Sequence, residues 1–151
     1  MKQLFISLFS VFIITAASAQ QEVMYHVQQR NFFDSNNDGS GDLEGIRQKL
    51  GYLNQLGITT IVLSPVYQSE FKNNYYASDL EKIDAEYGSF KLYRDLVQEV
   101  HRNKMKLYQE IDLRYVSNKH VWFTDSYKNP KSKYNGYLVY NDEKNEQPHY
   151  L

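Results

Sequence analysis

The sequence predicts an α/β fold in which parallel strands alternate with helices. Runs of β-branched and apolar residues at 23–27, 59–63 and 105–113 have the length and composition of strands. Between them lie two segments whose apolar residues recur at spacings of three and four, which is the period of a helix. The order strand, helix, strand, helix, strand is typical of βαβ units with right-handed crossovers.

The first predicted helix begins after Asp42, a typical N-cap residue, and ends at Gly57. One apolar face runs along it, formed by Leu43, Ile46, Leu50, Leu53 and Leu56. The strand that follows, Thr59–Leu63, is almost continuously apolar or β-branched. Such a run is typical of a parallel strand that is buried on both faces.

The second predicted helix begins after Ser89, another N-cap candidate. Its apolar face consists of Phe90, Tyr93, Leu96, Val97 and Val100. A polar loop rich in tyrosine, residues 66–88, connects the second strand to this helix. In folds of this kind, the functional residues lie at the carboxyl ends of the strands. This loop is therefore a candidate for the functional site. Beyond residue 116 the periodicity fades, and Tyr137–Tyr140 is predicted as a short strand.

Oxygen-bearing side chains occupy every second position of a loop after the first strand: Asp34, Asn36, Asp38, Ser40 and Asp42. Gly39 and Gly41 lie between them and let the backbone turn sharply. Calcium takes about six to eight oxygen ligands in irregular geometry, so this loop can wrap one ion. The alternative is a turn in which Asp42 only caps the helix. An EF-hand is disfavoured, because Gly45 stands where that loop needs a bidentate Glu.

The length, net charge and amino-acid composition narrow the classes of function that this chain can have. The chain has 151 residues and a formal net charge of −1, which gives no electrostatic footprint for nucleic acid. Its 14 Tyr and 8 Phe suit flat ligands such as sugars, although ordinary core packing explains such residues equally well. The chain contains no Cys, so burial of a core, with or without a bound ion, has to stabilise it.

Residues 1–19 have the features of a signal peptide. Lys2 precedes an apolar run, Leu4–Ile14, and Ala17-Ser18-Ala19 fits an A-x-A cleavage site. The run is too short to span a bilayer comfortably, and no Cys follows it for lipid attachment. These residues predict export to the periplasm or the cell exterior, a mature chain that starts at Gln20, and no membrane anchor.

A series of spaced motifs runs through the mature chain. In order, they are Tyr25, Arg30 and Phe32; Gly41-Asp42-Leu43 and Gly45-Ile46; Leu50, Leu53 and Leu56-Gly57-Ile58; Leu63-Ser64-Pro65-Val66-Tyr67; Tyr75, Asp79, Ile83-Asp84 and Tyr87-Gly88; Val100-His101; and His120-Val121-Trp122-Phe123 with Asn129-Pro130. Together they resemble the start of the α-amylase family, glycoside hydrolase family 13. The resemblance is strongest to its branch of oligo-1,6-glucosidases, neopullulanase-like enzymes and α-glucosidases.

The resemblance implies a (β/α)8 TIM barrel with a B domain inserted after the third strand. Residues 20–115 would then contain strands one to three and helices one and two, and residues 116–151 would begin the inserted domain. The chain would be an N-terminal fragment, less than half of a barrel of about 250 residues. The resemblance further implies a secreted glycosidase that cleaves α-glucosidic bonds of starch-derived oligosaccharides with retention, acting on an α-glucan or maltooligosaccharide.

The resemblance also implies site residues. Calcium would be bound by Asp34, Asn36, Asp38, the backbone carbonyl of Ser40, and Asp42. Tyr75 matches a tyrosine that lies under a glucose ring, where a flat aromatic face suits the apolar face of the sugar. Tyr115 falls where the family has a substrate-binding His and could still contact the sugar.

The chain departs from the family pattern at several of these positions. Tyr76 stands where many relatives have an Asp that binds the sugar, and Arg114 stands in place of an Asn. An Arg side chain has no oxygen with which to coordinate calcium, so a second calcium site near the third strand is doubtful. Glu110 replaces an Asp; with Asp112 it forms an acidic pair that could face the barrel interior, and a structural role is preferred for both.

No residue of this chain is assigned as a catalytic nucleophile or acid. Retaining hydrolysis needs two carboxylates about 5 Å apart, and in this family they follow strands four and five. The four His, at 26, 101, 120 and 149, lack the spacing of zinc ligands. Two alternatives therefore remain open: a non-catalytic, calcium-dependent carbohydrate-binding module, and a catalytically dead relative.

Overall fold

The computed structural model describes residues 21–149, so the predicted signal peptide at 1–19 lies outside the described part. The strands, numbered in chain order, are β1 (Met24–Val27), β2 (Thr60–Leu63), β3 (Tyr67–Gln68), β4 (Asp79–Ile83) and β5 (Lys106–Gln109). The α-helices are α1 (Leu43–Gln48), α2 (Leu50–Gln55), α3 (Phe90–Arg102) and α4 (Val121–Ser126). Gln29–Asn31 and Asn135–Tyr137 form short 3-10 helices.

Three parallel strands form the main sheet, in the order β1, β2, β5. Tyr25, Ile61 and Leu107 are aligned across the sheet, and each crossover contains helix. This arrangement confirms the predicted order of parallel strands and helices. The third strand ends at Gln109, four residues before the predicted end at Leu113, because only Lys106–Gln109 pairs with β2.

The first predicted helix is two six-residue helices, α1 and α2, instead of one. The interruption lies at Lys49, whose φ of −99° and ψ of 4° lie outside the usual scatter about helical values. Its carbonyl still accepts a hydrogen bond of 3.0 Å from the amide of Leu53. The apolar face therefore continues across the interruption. Gly57, with φ of +78°, ends the segment in the left-handed region, as predicted.

The core lies between the helices and one face of the main sheet. It consists of Val27, Leu43, Ile46, Leu50, Leu53, Ile58, Ile61, Leu63, Val66, Tyr87, Leu96, Val100 and Met105. Burying one such aliphatic side chain contributes about 1.5–3 kcal/mol. On the other face of the sheet, Met24 and Tyr108 are about half exposed (55% and 49%). This second face, the inner face, carries the alternate residues of each strand.

The tyrosine-rich loop contains a small antiparallel sheet that was not predicted from the sequence. β3 and β4 pair with an irregular register, and each is short. The segment after β5 is attached to this loop, because the amide of Ser117 donates a 2.8 Å hydrogen bond to the carbonyl of Ala77. The loop is therefore an ordered structure that stands over the carboxyl end of the main sheet.

Residues 116–149 form α4, a 3-10 helix and several turns. The strand predicted at Tyr137–Tyr140 is wrong: Tyr137 ends the 3-10 helix, and Tyr140 forms only an isolated bridge with Pro148. The side chains of Tyr137 and Val139 are mostly exposed (59% and 67%), so an apolar face is lacking there. The assignment of this part to an inserted domain stays a prediction. Within residues 21–149, every helix is too short or too polar to cross a membrane.

Candidate functional site

The carboxyl ends of the three main strands meet at one edge of the sheet. Val27, Leu63 and Gln109 are aligned at this edge by the parallel register. The candidate ion loop, the tyrosine-rich loop and the segment after β5 all leave from here. Side chains of residues far apart in sequence therefore converge at this edge, where α/β folds place their functional groups.

A polar network joins the three strands on the inner face. The hydroxyl of Tyr75 donates a 2.9 Å hydrogen bond to Oε1 of Glu110. The second oxygen of Glu110, Oε2, lies 3.2 Å from Nε2 of His26. The same His26 nitrogen lies 3.0 Å from the hydroxyl of Ser64. One residue from each strand end, together with Tyr75 from the loop, thus forms a single connected group.

The hydrogen bond to Glu110 fixes the chemical state of the Tyr75 hydroxyl. Burial, and secondarily the bond to Glu110, raises the pKa of Tyr75 above its usual value. The phenol therefore stays protonated, and its proton points at Glu110. Tyr75 can accept a further hydrogen bond, and its half-buried ring is held in one orientation. This orientation is what a platform for a sugar ring needs.

A cleft of about 240 Å³ adjoins Tyr75. It is lined by Gln28, Gln29, Arg30, Asn31, Ser64, Lys72, Asn73, Tyr75 and Tyr87. The lining combines two aromatic rings with amide, hydroxyl and cationic groups. Such a mixture suits a polyhydroxylated ligand that has an apolar face, which is the surface of a sugar.

Tyr115, the second predicted substrate-binding residue, lies against Tyr76, with ring centroids 6.0 Å apart. Arg114 lies 5.8 Å from the centre of the Tyr115 ring. Phe71 extends the group on the other side, 5.2 Å from the Tyr76 ring. The structure thus brings three departures from the family pattern, at 76, 114 and 115, into one aromatic cluster beside the loop.

The acidic pair that was predicted on the third strand is separated in the structure. Both residues follow the end of β5. Arg114 donates two side-chain hydrogen bonds to Asp112, of 3.1 and 2.7 Å, and lowers the pKa of that carboxyl. Glu110 is held instead by Tyr75 and His26. Each carboxylate has its own partner, and the structural role preferred for both from the sequence stays a prediction.

The candidate ion loop is folded around the carboxylate of Asp34. This carboxylate accepts four backbone N–H groups, from Asn36, Asn37, Asp38 and Gly39. The bond from Gly39 contributes most to lowering the pKa of Asp34. The positive φ values of Asn37 (61°) and Gly39 (91°) curl the chain over this carboxylate. The loop keeps a concave form through its own hydrogen bonds.

Asp42 caps α1, because its Oδ1 accepts a 2.6 Å hydrogen bond from the amide of Gly45. Its Oδ2 accepts hydrogen bonds from the amide and hydroxyl of Ser35, at 3.3 and 2.7 Å. The capping role weighed from the sequence is therefore present. Gly41 and Gly45 are needed for close backbone approach: a Cβ atom would overlap the carbonyl of Gln29 at the first and of Phe33 at the second.

The donor set of the loop fits a hard cation in composition. Asn36 and Asp38 lie together, linked by a 2.9 Å hydrogen bond from Nδ2 of Asn36 to Oδ2 of Asp38. The hydroxyl of Ser40 accepts a hydrogen bond of 3.1 Å from Arg30, which leaves the backbone carbonyl as the ligand of that residue. Within residues 21–149, however, no group of three or more acidic or His side chains surrounds a common point. Calcium binding stays a prediction.

Arg30 connects the ion loop to the tyrosine-rich loop. Besides Ser40, it donates a 3.0 Å hydrogen bond to the carbonyl of Lys72 and forms an ion pair with Glu86. Its guanidinium also lies 5.5 Å from the centre of the Tyr87 ring. The Arg30 side chain therefore fixes the position of one loop relative to the other beside the cleft.

Reasoning from the sequence assigned no role to His26. It lies on the inner face, as do Ser64 and Glu110, because alternate residues of aligned parallel strands share a face. Counting this alternation from the three predicted strands could have placed His26 beside Glu110. The contact itself depends on the register, which the sequence does not show.

Comparison with known proteins gives a consistent result. The family model described as the alpha amylase catalytic domain matches residues 26–151. An oligo-1,6-glucosidase of Bacillus cereus is 42% identical over 122 residues, which are 80% of this chain and 22% of that protein. A glucan 1,6-alpha-glucosidase of Streptococcus pneumoniae is 38% identical over 125 residues, 82% of this chain and 23% of that protein.

Solved structures agree with the sequence relatives. The trehalose-6-phosphate hydrolase of Bacillus licheniformis superposes with a TM-score of 0.77 at 30% identity, covering 82% of this chain and 22% of that one. An alpha-amylase from H. orenii gives a TM-score of 0.77 at 31% identity, covering 82% and 27%. Both likenesses confirm the predicted α/β fold as part of a (β/α)8 barrel of glycoside hydrolases.

The parallel sheet, the helices on its outer face and the polar edge define part of a barrel of the glycoside hydrolase class. The chain belongs to the α-amylase family, within its catalytic domain. It spans between a fifth and a quarter of the length of the curated relatives (22% and 23%).

Proposed function

We propose that this chain forms the first three strands of the catalytic barrel of a retaining glycosidase, and that the complete protein cleaves α-glucosidic bonds in starch-derived oligosaccharides. The observation that carries the proposal is the Tyr75 ring, held by Glu110 beside a cleft at the carboxyl edge of the strands. The relatives named oligo-1,6-glucosidase and glucan 1,6-alpha-glucosidase support the same class of substrate.

In this proposal, Tyr75 lies under the sugar ring and Tyr115 contributes to a wall of the site. The proposal assigns neither the nucleophile nor the acid to Glu110 or Asp112, each of which is held by another side chain. The chain's own residues bind and orient the sugar. The amide and cationic groups of the cleft, Gln28, Asn31 and Lys72, can bind its hydroxyls.

The loop at 34–42 is proposed to bind one calcium ion through Asp34, Asn36, Asp38, the carbonyl of Ser40, and Asp42. When bound, the ion supplies a fixed positive charge that holds these oxygens together and stiffens the loop. The ion takes no part in bond cleavage in this proposal. The oxygen-bearing side chains at alternate positions of the loop support this role.

The proposal is tested with the full-length gene product that contains these residues. Maltotriose, isomaltose and 4-nitrophenyl α-glucoside are expected to be hydrolysed, and the β-linked cellobiose serves as the control. Proton NMR of the first product should show an α-anomer, which indicates retention. Calcium-dependent binding of maltotriose without hydrolysis would instead establish the binding module.

A catalytically dead relative is the second candidate. The aromatic cluster of Tyr76 and Tyr115 favours it, because two polar sugar-binding positions of the family pattern are occupied by rings that contact each other. Absence of hydrolysis from all three α-linked substrates, with the protein folded, would establish this candidate.

We also propose that the protein is exported, because residues 1–19 have the features of a signal peptide. A separate experiment tests this. The full-length gene product is expected in the periplasm or the culture medium, with Gln20 as the first residue of the mature protein. A variant that lacks residues 1–19 is expected to stay in the cytoplasm. N-terminal sequencing that finds Met1 on the native protein contradicts the proposal.

A further inference from the structure

His26 stands at the carboxyl end of β1, and its contacts lead to Tyr75 without touching it. Nε2 of His26 lies 3.2 Å from one oxygen of Glu110, and the other oxygen of Glu110 accepts the Tyr75 hydroxyl at 2.9 Å. We propose that His26 is a positioning residue, which holds Glu110 and thereby fixes the orientation of the Tyr75 ring for binding a sugar. The inference rests on the proposed function of Tyr75.

The burial of Glu110 shows why it needs this partner. Its Oε2 is screened from solvent and accepts no well-formed hydrogen bond from the residues described. Removing a carboxylate oxygen from water without compensation is costly. The nearby His26 nitrogen is the group that offsets this cost. Without it, Glu110 is expected to turn towards water and release the Tyr75 hydroxyl.

Two groups meet at Nε2 of His26. The Ser64 hydroxyl lies within hydrogen-bonding distance, at 3.0 Å, and the Glu110 oxygen lies in a close polar contact, at 3.2 Å, that lacks hydrogen-bond geometry. Ser64 is itself fixed, since its amide donates a 3.0 Å hydrogen bond to the carbonyl of Val27.

This arrangement is not a Ser–His–Glu catalytic triad. A triad uses both ring nitrogens of the His, one for the nucleophile and one for the carboxylate. Here the same nitrogen, Nε2, contacts both Ser64 and Glu110. A single nitrogen cannot take the proton of Ser64 and also hold the carboxylate through an N–H on the opposite side of the ring, as a triad requires. The network therefore orients groups and does not activate a nucleophile.

A double-mutant cycle in the full-length gene product tests the inference. His26→Ala is expected to weaken maltotriose binding, measured by calorimetry, by about tenfold, since removing the polar neighbour of a buried carboxylate oxygen has a cost of that order. KM should rise by a similar factor, with a smaller change in kcat. In a Tyr75→Phe background, the ring no longer donates to Glu110, and the effect of His26→Ala should largely disappear.

Two further variants separate positioning from general stability. His26→Gln keeps an N–H donor at a similar reach and is expected to restore most of the binding. His101→Ala alters an exposed His on α3 and should leave binding unchanged. An undiminished effect of His26→Ala in the Tyr75→Phe background would overturn the proposal, as would a failure of Gln to restore binding.

A crystal structure of the His26→Ala variant gives a readout that does not depend on any ligand. The Tyr75 ring is expected to leave Glu110, whereas in His26→Gln it should stay. A Tyr75 ring that remains on Glu110 in His26→Ala rejects the positioning role even if the protein proves to be a glycosidase. A protein that cleaves no α-glucoside, but shows these ring movements, rejects only the proposed function.

Discussion

The hydroxyl of Tyr87 donates a 2.7 Å hydrogen bond to the side-chain carbonyl of Asn74, which is fully buried beneath the loop that carries Tyr75. The amide nitrogen of Asn74 donates to the carbonyl of Tyr67 at 2.9 Å and to Asp84 at 2.8 Å. One side chain thus ties together both ends of the tyrosine-rich loop. Its φ of 56° also sets the direction in which the chain reaches Tyr75.

We expect Asn74→Ala to lower the free energy of unfolding of the full-length protein by about 2–3 kcal/mol, because the hydrogen bonds to Tyr87, Tyr67 and Asp84 are lost and the positive φ disfavours Ala. Urea unfolding measures this change. The neighbouring variant Asn73→Ala alters an exposed side chain and should lower the free energy of unfolding much less. An equal fall in the free energy of unfolding for the two variants would show that Asn74 does not hold the loop.

Chelation is expected to lower the melting temperature of the full-length protein, and Asp38→Ala should reproduce this effect and be insensitive to chelator. The physical reason is that a bound ion stabilises only the folded loop. Asp142→Ala is the matched control, because Asp142 also accepts backbone N–H groups, from Lys144, Glu146 and Gln147, in a turn without a predicted ion. A melting curve that chelator leaves unchanged would remove calcium from the proposal.

Stability is expected to fall with acidification because of His120. Burial lowers the pKa of His120, partly offset by Asp79, and its Nδ1 accepts the amide of Trp122 as the N-cap of α4. The unfolded chain therefore binds a proton more readily than the folded protein. The contribution of neutral His120 is fully present above the ordinary His pKa of about 6.5, and it is lost as pH falls towards the lower folded value.

His120→Asn tests this pH dependence, because Asn can cap the helix but does not titrate. The fall in melting temperature from about pH 7 to pH 5 is expected to be smaller in this variant than in the native protein. His101→Asn changes an exposed His and should keep the native slope. An unaltered slope in His120→Asn would assign the acid sensitivity to other groups.

A pair of glycine substitutions tests the close approach below the ion loop. Gly45→Ala should prevent stable folding of this region, because a Cβ atom there overlaps the carbonyl of Phe33. Gly51→Ala, in open space on α2, should raise the free energy of unfolding by about 0.5–1 kcal/mol through helix propensity. The measurement is thermal melting of both variants. Similar melting temperatures for the two variants would show that the carbonyl of Phe33 leaves room for a Cβ atom at position 45.

The parallel strands and their helices were predictable from the sequence because their buried residues recur with a simple period. Ile61 and Leu63 lie in a continuous apolar run, and Leu96 and Val100 lie on one helical face; all four are fully buried. The two helices of the first crossover were predicted as one, because the deviation is confined to Lys49 and leaves the apolar spacing intact.

The prediction failed where structure depends on distant partners. Tyr137–Tyr140 has strand-like residues, but no strand of residues 21–149 pairs with it beyond one bridge. The β3–β4 sheet was missed because its strands are short and its residues Glu81 and Lys82 are exposed. In the candidate site, the role of Tyr75 follows from the family resemblance and stays a prediction, whereas its link to His26 requires the register of three strands.

Arg30, which holds the ion loop and the tyrosine-rich loop together, has a consequence for ligand affinity. If Arg30 transmits order from one loop to the other, the two sites are coupled, and such coupling is reciprocal. An ion that orders the first loop would then strengthen sugar binding at Tyr75, and the sugar would strengthen ion binding by the same factor. Calcium concentration would thus act as a control on substrate affinity, transmitted through one guanidinium group.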